Sequence, residues 1–125
     1  MGNNIVWVSI PATDLSRAIE FYRHVTGLRI ELMPGSEDSV AVAFGPEGEN
    51  TVSFDLSTYG VPSMEGAAPY LNSNGDIQAM VARVVEAGGM VVQEPQYMGE
   101  MIGWTAWFVD SEGNRIGIEE MGKPA

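Results

Sequence analysis

A chain of 125 residues with 45% apolar side chains is long enough for one globular domain with a real core. It has no cysteine, which excludes disulfides, thiolate metal sites and thiol nucleophiles. Seventeen acidic residues against six basic ones give a net charge of −11, which argues against nucleic acid and anionic membranes, since both need clustered Lys and Arg.

No apolar run reaches the roughly 18 residues of a membrane span. The first residues, MGNNIVWVSIP, lack the basic and then apolar pattern of a signal peptide, so a cytoplasmic protein is expected. Met1-Gly2 opens like a myristoylation site, but Val6 stands where Ser or Thr is wanted.

The predicted elements begin with a β-rich run, Ile5 to Ile10, closed by Pro11. Alternation puts Ile5, Trp7 and Ser9 on one face and Val6, Val8 and Ile10 on the other. Thr13 or Asp14 then caps a helix whose apolar face is Leu15, Ala18, Ile19, Tyr22 and Val25. Gly27 ends it as a C′ residue. Strands follow at 28–33, 39–44 and 51–56, with turns at Pro34-Gly35-Ser36 and Gly45-Pro46-Glu47-Gly48.

Residues 58–68, rich in Gly, Pro and small side chains, read as a linker. Tyr70 to Ser73 is a strand, and Asp76 caps a second helix with Ile77, Met80, Val81, Val84 and Val85 on one face. Gly88-Gly89 stops that helix. Met90 to Val92 is a strand, 93–103 a loop, 104–109 a strand, 110–114 a tight turn and 115–120 the last strand.

The second half repeats the first. Asp14, Ile19, Tyr22 and Gly27 return 62 residues later as Asp76, Val81, Val84 and Gly89. The fold class is therefore α+β, a single domain 1–125 of two β-α-β-β-β modules, about 1–57 and about 69–122. Each sheet has one face covered by its own helix. The two uncovered faces are expected to enclose a concave pocket.

Three stretches resemble the vicinal oxygen chelate superfamily of glyoxalases, extradiol dioxygenases and bleomycin-resistance proteins. They are Ile10 to Gly27 (IPATDLSRAIEFYRHVTG), Tyr70 to Gly89 (YLNSNGDIQAMVARVVEAGG) and Phe108 to Glu119 (FVDSEGNRIGIE). The resemblance implies the paired-module fold and commonly a homodimer. It also implies a divalent metal held by His, Gln and Glu from four strands. Carried over by register, those positions are Trp7, Asp55, Tyr70 and Gly117. Only Asp55 keeps a ligand of the kind the resemblance implies: indole has no lone pair to give, glycine has no side chain, and Tyr70 replaces the His or Gln. The expectation is a pocket with no metal site and no cofactor. Lactoylglutathione-lyase-like or dioxygenase-like activity is not supported by these positions.

Asp55 is the candidate catalytic residue, a general base if it is desolvated beside Trp7 and Tyr70. The competing reading is an ion pair with Arg115 or a solvated carboxylate. Trp7, Ser9, Ser53, Tyr70, Asn72, Trp104, Arg115 and Glu119 are the candidate ligand-binding residues, against a bland reading as filler between modules. Glu120 is expected on the surface. His24, the one histidine, is expected on the exposed side of the first helix, and alone it builds no His-pair metal site or triad. The Met- and aromatic-rich segment Gln96 to Trp104, with Gly99 and Gly103, reads equally as a lid or as a loop packed on the core or against a second copy in a dimer. Two functions compete: a binder of a small apolar or aromatic molecule, or a lyase- or isomerase-type enzyme using Asp55 or a non-standard metal site. The acidic charge favours a neutral or cationic ligand.

Overall fold

A computed structural model describes residues 4–45 and 51–122. The start at Met1-Gly2 and the turn residues Pro46, Glu47 and Gly48 lie outside the described residues. The chain divides into two compact units, Met1–Pro62 and Ser63–Ala125.

The first unit runs β1 (Val8–Pro11), α1 (Leu15–Thr26), β2 (Ile30–Leu32), β3 (Val40–Phe44) and β4 (Val52–Ser57). Its sheet has the order β1-β4-β3-β2, with β1 parallel to β4 and the other pairs antiparallel. The second unit repeats this with β5 (Tyr70–Asn72), α2 (Ile77–Glu86), β6 (Met90–Tyr97), β7 (Trp104–Val109) and β8 (Arg115–Glu120), in the order β5-β8-β7-β6. Each unit is thus a β-α-β-β-β module. A helical crossover leads out from the first strand, and an antiparallel meander returns the chain beside it, as parallel pairing requires.

Both helices start where a carboxylate accepts a free first-turn N–H. Asp14 accepts from Arg17 N at 3.1 Å and Asp76 from Ala79 N at 3.0 Å. Gly27, at φ 71°, closes α1 in the left-handed conformation that glycine adopts without a Cβ penalty.

The core of each unit lies between its helix and one sheet face. In the first, Leu15, Ala18, Phe21, Tyr22 and Val25 pack over Ile10, Ile30, Ala41, Ala43, Phe54 and Leu56. The small Ala41 and Ala43 leave room for the rings, and Tyr22 meets Phe54 edge-on at 5.4 Å. Phe21 is buried and Ile19 only half-buried, reversing the expected membership of this face. In the second unit Ile77, Met80, Val81 and Val84 cover Ala106, Phe108, Ile116 and Ile118, whereas Val85 is exposed. Burying each such large side chain contributes about 1.5–3 kcal/mol.

The predicted loop 93–103 is a correction. β6 continues to Tyr97, with register shifts between Val91 and Gln93 and between Gln93 and Gln96. Pro95 does not stop it, because β6 is the sheet edge and the bulges leave an N–H unneeded there. The remaining turn is tight: Met98 N donates to Gly103 O at 2.7 Å and Gly103 N to Gly99 O at 2.7 Å. A Cβ on Gly103 would collide with the Glu120 carbonyl. The turn is therefore packed on the strand end at Gly103.

The 110–114 turn is built around one carboxylate. Asp110 accepts from Glu112 N at 2.9 Å, Asn114 N at 2.8 Å and Asn114 Nδ2 at 3.0 Å. Asn114 Oδ1 accepts from Ser63 N at 3.2 Å, which ties the last part of the predicted linker to the second unit. Glu120 is also a correction: its carboxylate turns back and accepts from Ile77 N at 2.6 Å and from Ser73 Oγ at 3.3 Å. It is a second cap on α2 and not a loose surface acid.

Candidate functional site

Each unit carries a concavity on the sheet face away from its helix. In the first, a pocket of about 660 Å³ is lined by Trp7, Ser9, Asp55 and Ser57 together with Pro11, Met33, Val40, Tyr59, Gly60 and Val61. Odd-numbered residues of β4 point this way because Phe54 and Leu56 take the helix side. Ser9 stands opposite Asp55 in the parallel ladder and donates its hydroxyl to the carboxylate at 2.7 Å. Trp7 lies just before β1, 54% exposed, two residues from Ser9 and on the same face.

In the second unit a pocket of about 520 Å³ is lined by Tyr70, Gln93, Met98, Ile102, Thr105, Trp107, Arg115 and Glu119. One row crosses the whole sheet: Tyr70 pairs with Gly117, Gly117 with Trp107, and Trp107 with Gln93. A Cβ on Gly117 would overlap the Tyr70 ring, so the ring lies directly over the glycine. The Arg115 guanidinium carbon sits 5.0 Å from the centre of the Trp107 ring, within cation–π range. Gln93 Nε2 donates to Thr105 Oγ1 at 3.3 Å and to its carbonyl at 3.4 Å, fixing the far wall.

The structure therefore brings together Trp7, Ser9 and Asp55 in one pocket and Tyr70, Arg115 and Glu119 in the other. Ser53, Asn72 and Trp104 line neither. Ser53 is exposed two residues before Asp55. Asn72 uses its side chain to accept from Asn74 N at 2.8 Å. Trp104 has the parity of Ala106 and Phe108, not of Thr105 and Trp107, and its ring meets Tyr97 at 5.6 Å. Trp107, Gln93 and Thr105 were missed. Continuous alternation along β7 would have found the first and third; the broken register of β6 hid Gln93.

The repeat is also offset differently from the sequence reading. Gly117 follows Asp55 by 62 residues, but their ladder partners Tyr70 and Ser9 are 61 apart. Asn74 and Gly75, both at positive φ, supply the extra residue before α2. Ser9, not Trp7, is thus the ladder counterpart of Tyr70. His24 is exposed on α1. Among the described residues no group of three or more His, Asp or Glu side chains is placed to hold a metal ion, and no helix is long and apolar enough to cross a membrane.

The Glyoxalase/Bleomycin resistance protein/Dioxygenase superfamily matches the chain over residues 4–118. Lactoylglutathione lyase GLX1 of Arabidopsis thaliana is 33% identical over 89 residues, covering 66% of this chain but only 31% of that protein. The chain thus spans about a third of the length of that relative. A glyoxalase/bleomycin resistance protein from Albidiferax ferrireducens T118 superposes with a TM-score of 0.72 at 19% identity, covering 96% of this chain and 100% of that one. TnmS3, an antibiotic binding protein from Streptomyces sp. CB03234, gives 0.71 at 23% identity, covering 97% and 98%. At these identities the likeness is one of fold. With nearly the whole chain matched and both modules built as the match requires, the protein is a member of the glyoxalase/bleomycin resistance protein/dioxygenase superfamily.

Proposed function

We propose that this protein binds a small apolar or aromatic molecule and holds it on the open sheet faces of its modules. The observation that carries the reading is the Tyr70 ring seated on Gly117 beside Trp107. Those two positions are where the family resemblance implies metal ligands in the second module. Here they hold an aromatic surface, and the ring fills the space a ligating side chain at 117 would need. The donor set Trp7, Asp55, Tyr70 and Gly117 does not fit a transition metal, which wants several N, O or S donors.

Aromatic surfaces with a few polar groups are what small-molecule pockets use for affinity and orientation. In the first module Trp7 supplies the surface and the Asp55–Ser9 pair the polar anchor. TnmS3 shares the fold and is described as binding an antibiotic; that supports the binder class and leaves the ligand open.

A second reading rests on Asp55. Its carboxylate is held by Ser9 and opens into a largely apolar pocket; on this reading it takes a proton from a bound carbon or heteroatom acid. A thermal-shift screen over aromatic metabolites and antibiotics separates the two, because a ligand that prefers the folded state raises the melting temperature. Each hit is then incubated with wild type and with Asp55→Asn. The binder reading expects both to bind and neither to convert the hit. Conversion by wild type and mere binding by the variant would establish the enzyme. A screen with no hit would remove the binding reading. A homodimer belongs to the same proposal, and sedimentation at micromolar concentration tests it.

A further inference from the structure

The open face of β8 reads Arg115, Gly117, Glu119, since alternate residues share a face. A cation stands at one end, an anion at the other, and the Tyr70 ring over the glycine between them. At the usual strand rise the two charged Cα atoms are roughly 13 Å apart. Long side chains reaching inward from that separation leave room for one ring and its substituents.

Two further observations give the arrangement a direction. Arg115 Nε is buried and has no hydrogen-bond partner among the described residues, a costly state for a charged donor. The guanidinium is held over Trp107, so it cannot swing freely into solvent. The Tyr70 and Trp107 strands flank β8, and the Tyr70 ring covers Gly117, so the floor between Arg115 and Glu119 is the Tyr70 ring with Trp107 on the next strand beside it.

Deepening the binder reading and resting on it, we propose that the second-module pocket takes a planar aromatic ring carrying an anionic or strong acceptor group at one end and a cationic amine at the other. The acceptor end meets Arg115, the amine meets Glu119, and the ring lies against Tyr70 and Trp107. Such a ligand is neutral overall, or singly positive where the acceptor is uncharged, so the acidic surface of the protein does not repel it.

Four matched probes test this: 4-(aminomethyl)benzoate, benzoate, benzylamine and the uncharged 4-methylbenzyl alcohol. Each is titrated into the protein at millimolar concentrations while the indole N–H signals of the three tryptophans are followed by NMR. The zwitterion is expected to shift the Trp107 signal and to bind at least about tenfold tighter than any of the other three, the scale of one charge-assisted hydrogen bond. In Arg115→Gln the zwitterion falls to the level of benzylamine, and in Glu119→Gln to that of benzoate. The wild-type comparison stands even where a variant fails to fold. If the uncharged alcohol shifts Trp107 and binds as tightly as the zwitterion, the end-group assignment is wrong while the aromatic binding surface stands. If none of the four shifts Trp107, both are wrong.

Discussion

Tyr70 and Gly117 share one place in the second module: the ring of the first occupies the volume a Cβ on the second would take. They are direct ladder partners on adjacent parallel strands, so neither can move away without disturbing the sheet. The missing side chain at 117 and the aromatic one at 70 are therefore one feature.

The pair predicts a non-additive mutant cycle. Gly117→Ala should cost about 1–3 kcal/mol through overpacking, since its backbone is in no left-handed strain. Added to Tyr70→Ala it should cost almost nothing, because the obstructing ring is gone. Urea unfolding of the four proteins measures the coupling, and additive effects would mean the ring does not sit on the glycine.

Gly99 and Gly103 should separate in the same assay. Both have positive φ, but a Cβ at Gly99 meets nothing within 4 Å, whereas one at Gly103 runs into the Glu120 carbonyl. Gly99→Ala should cost about 1 kcal/mol for the strained backbone alone. Gly103→Ala should cost clearly more, and it should loosen the end of β8, seen as faster amide exchange at Glu120 and Met121.

The caps on α2 give a third expectation. Asp76→Ala removes the acceptor for Ala79 N and should cost about 0.5–2 kcal/mol. Glu120→Ala removes the acceptor for Ile77 N and should cost a similar amount, unexpected of a half-exposed terminal-strand acid. Melting temperatures of the two single variants check this directly.

Asp110→Ala should be the most damaging polar change. It strips three hydrogen bonds from a buried turn and leaves the Asn114 amide without its acceptor. A loss of about 3 kcal/mol is expected, and Asp110→Asn should recover part of it, because one amide oxygen can still accept.

These features differ in how far the residues announced them. The modules were legible because helix periodicity, the caps at Asp14 and Asp76 and the 62-residue echo all agree on one answer. Strand alternation placed Ser9, Asp55, Tyr70, Arg115 and Glu119 on the open faces, since inward Phe54, Leu56, Ile116 and Ile118 fix the opposite parity. It failed where pairing is irregular. Pro95 made an edge strand look like a loop, and Trp104, an expected binding residue, has the parity of Ala106 and Phe108, so the open-face aromatic of β7 is Trp107. Glu120 was invisible as a cap because its partner is far away in sequence. The seat of Tyr70 on Gly117 is a property of two strands in register, which no single stretch of sequence contains.

Ligand contact at the seat of Tyr70 on Gly117 is the most direct test of the binding function. A hit from the aromatic screen, titrated calorimetrically into wild type, Tyr70→Ala and Trp107→Phe, measures it. Removing the Tyr70 ring is expected to weaken binding about tenfold or more, the worth of one well-used aromatic contact, while Trp107→Phe weakens it less. Unchanged affinity in Tyr70→Ala, with the fold intact by circular dichroism, would contradict it.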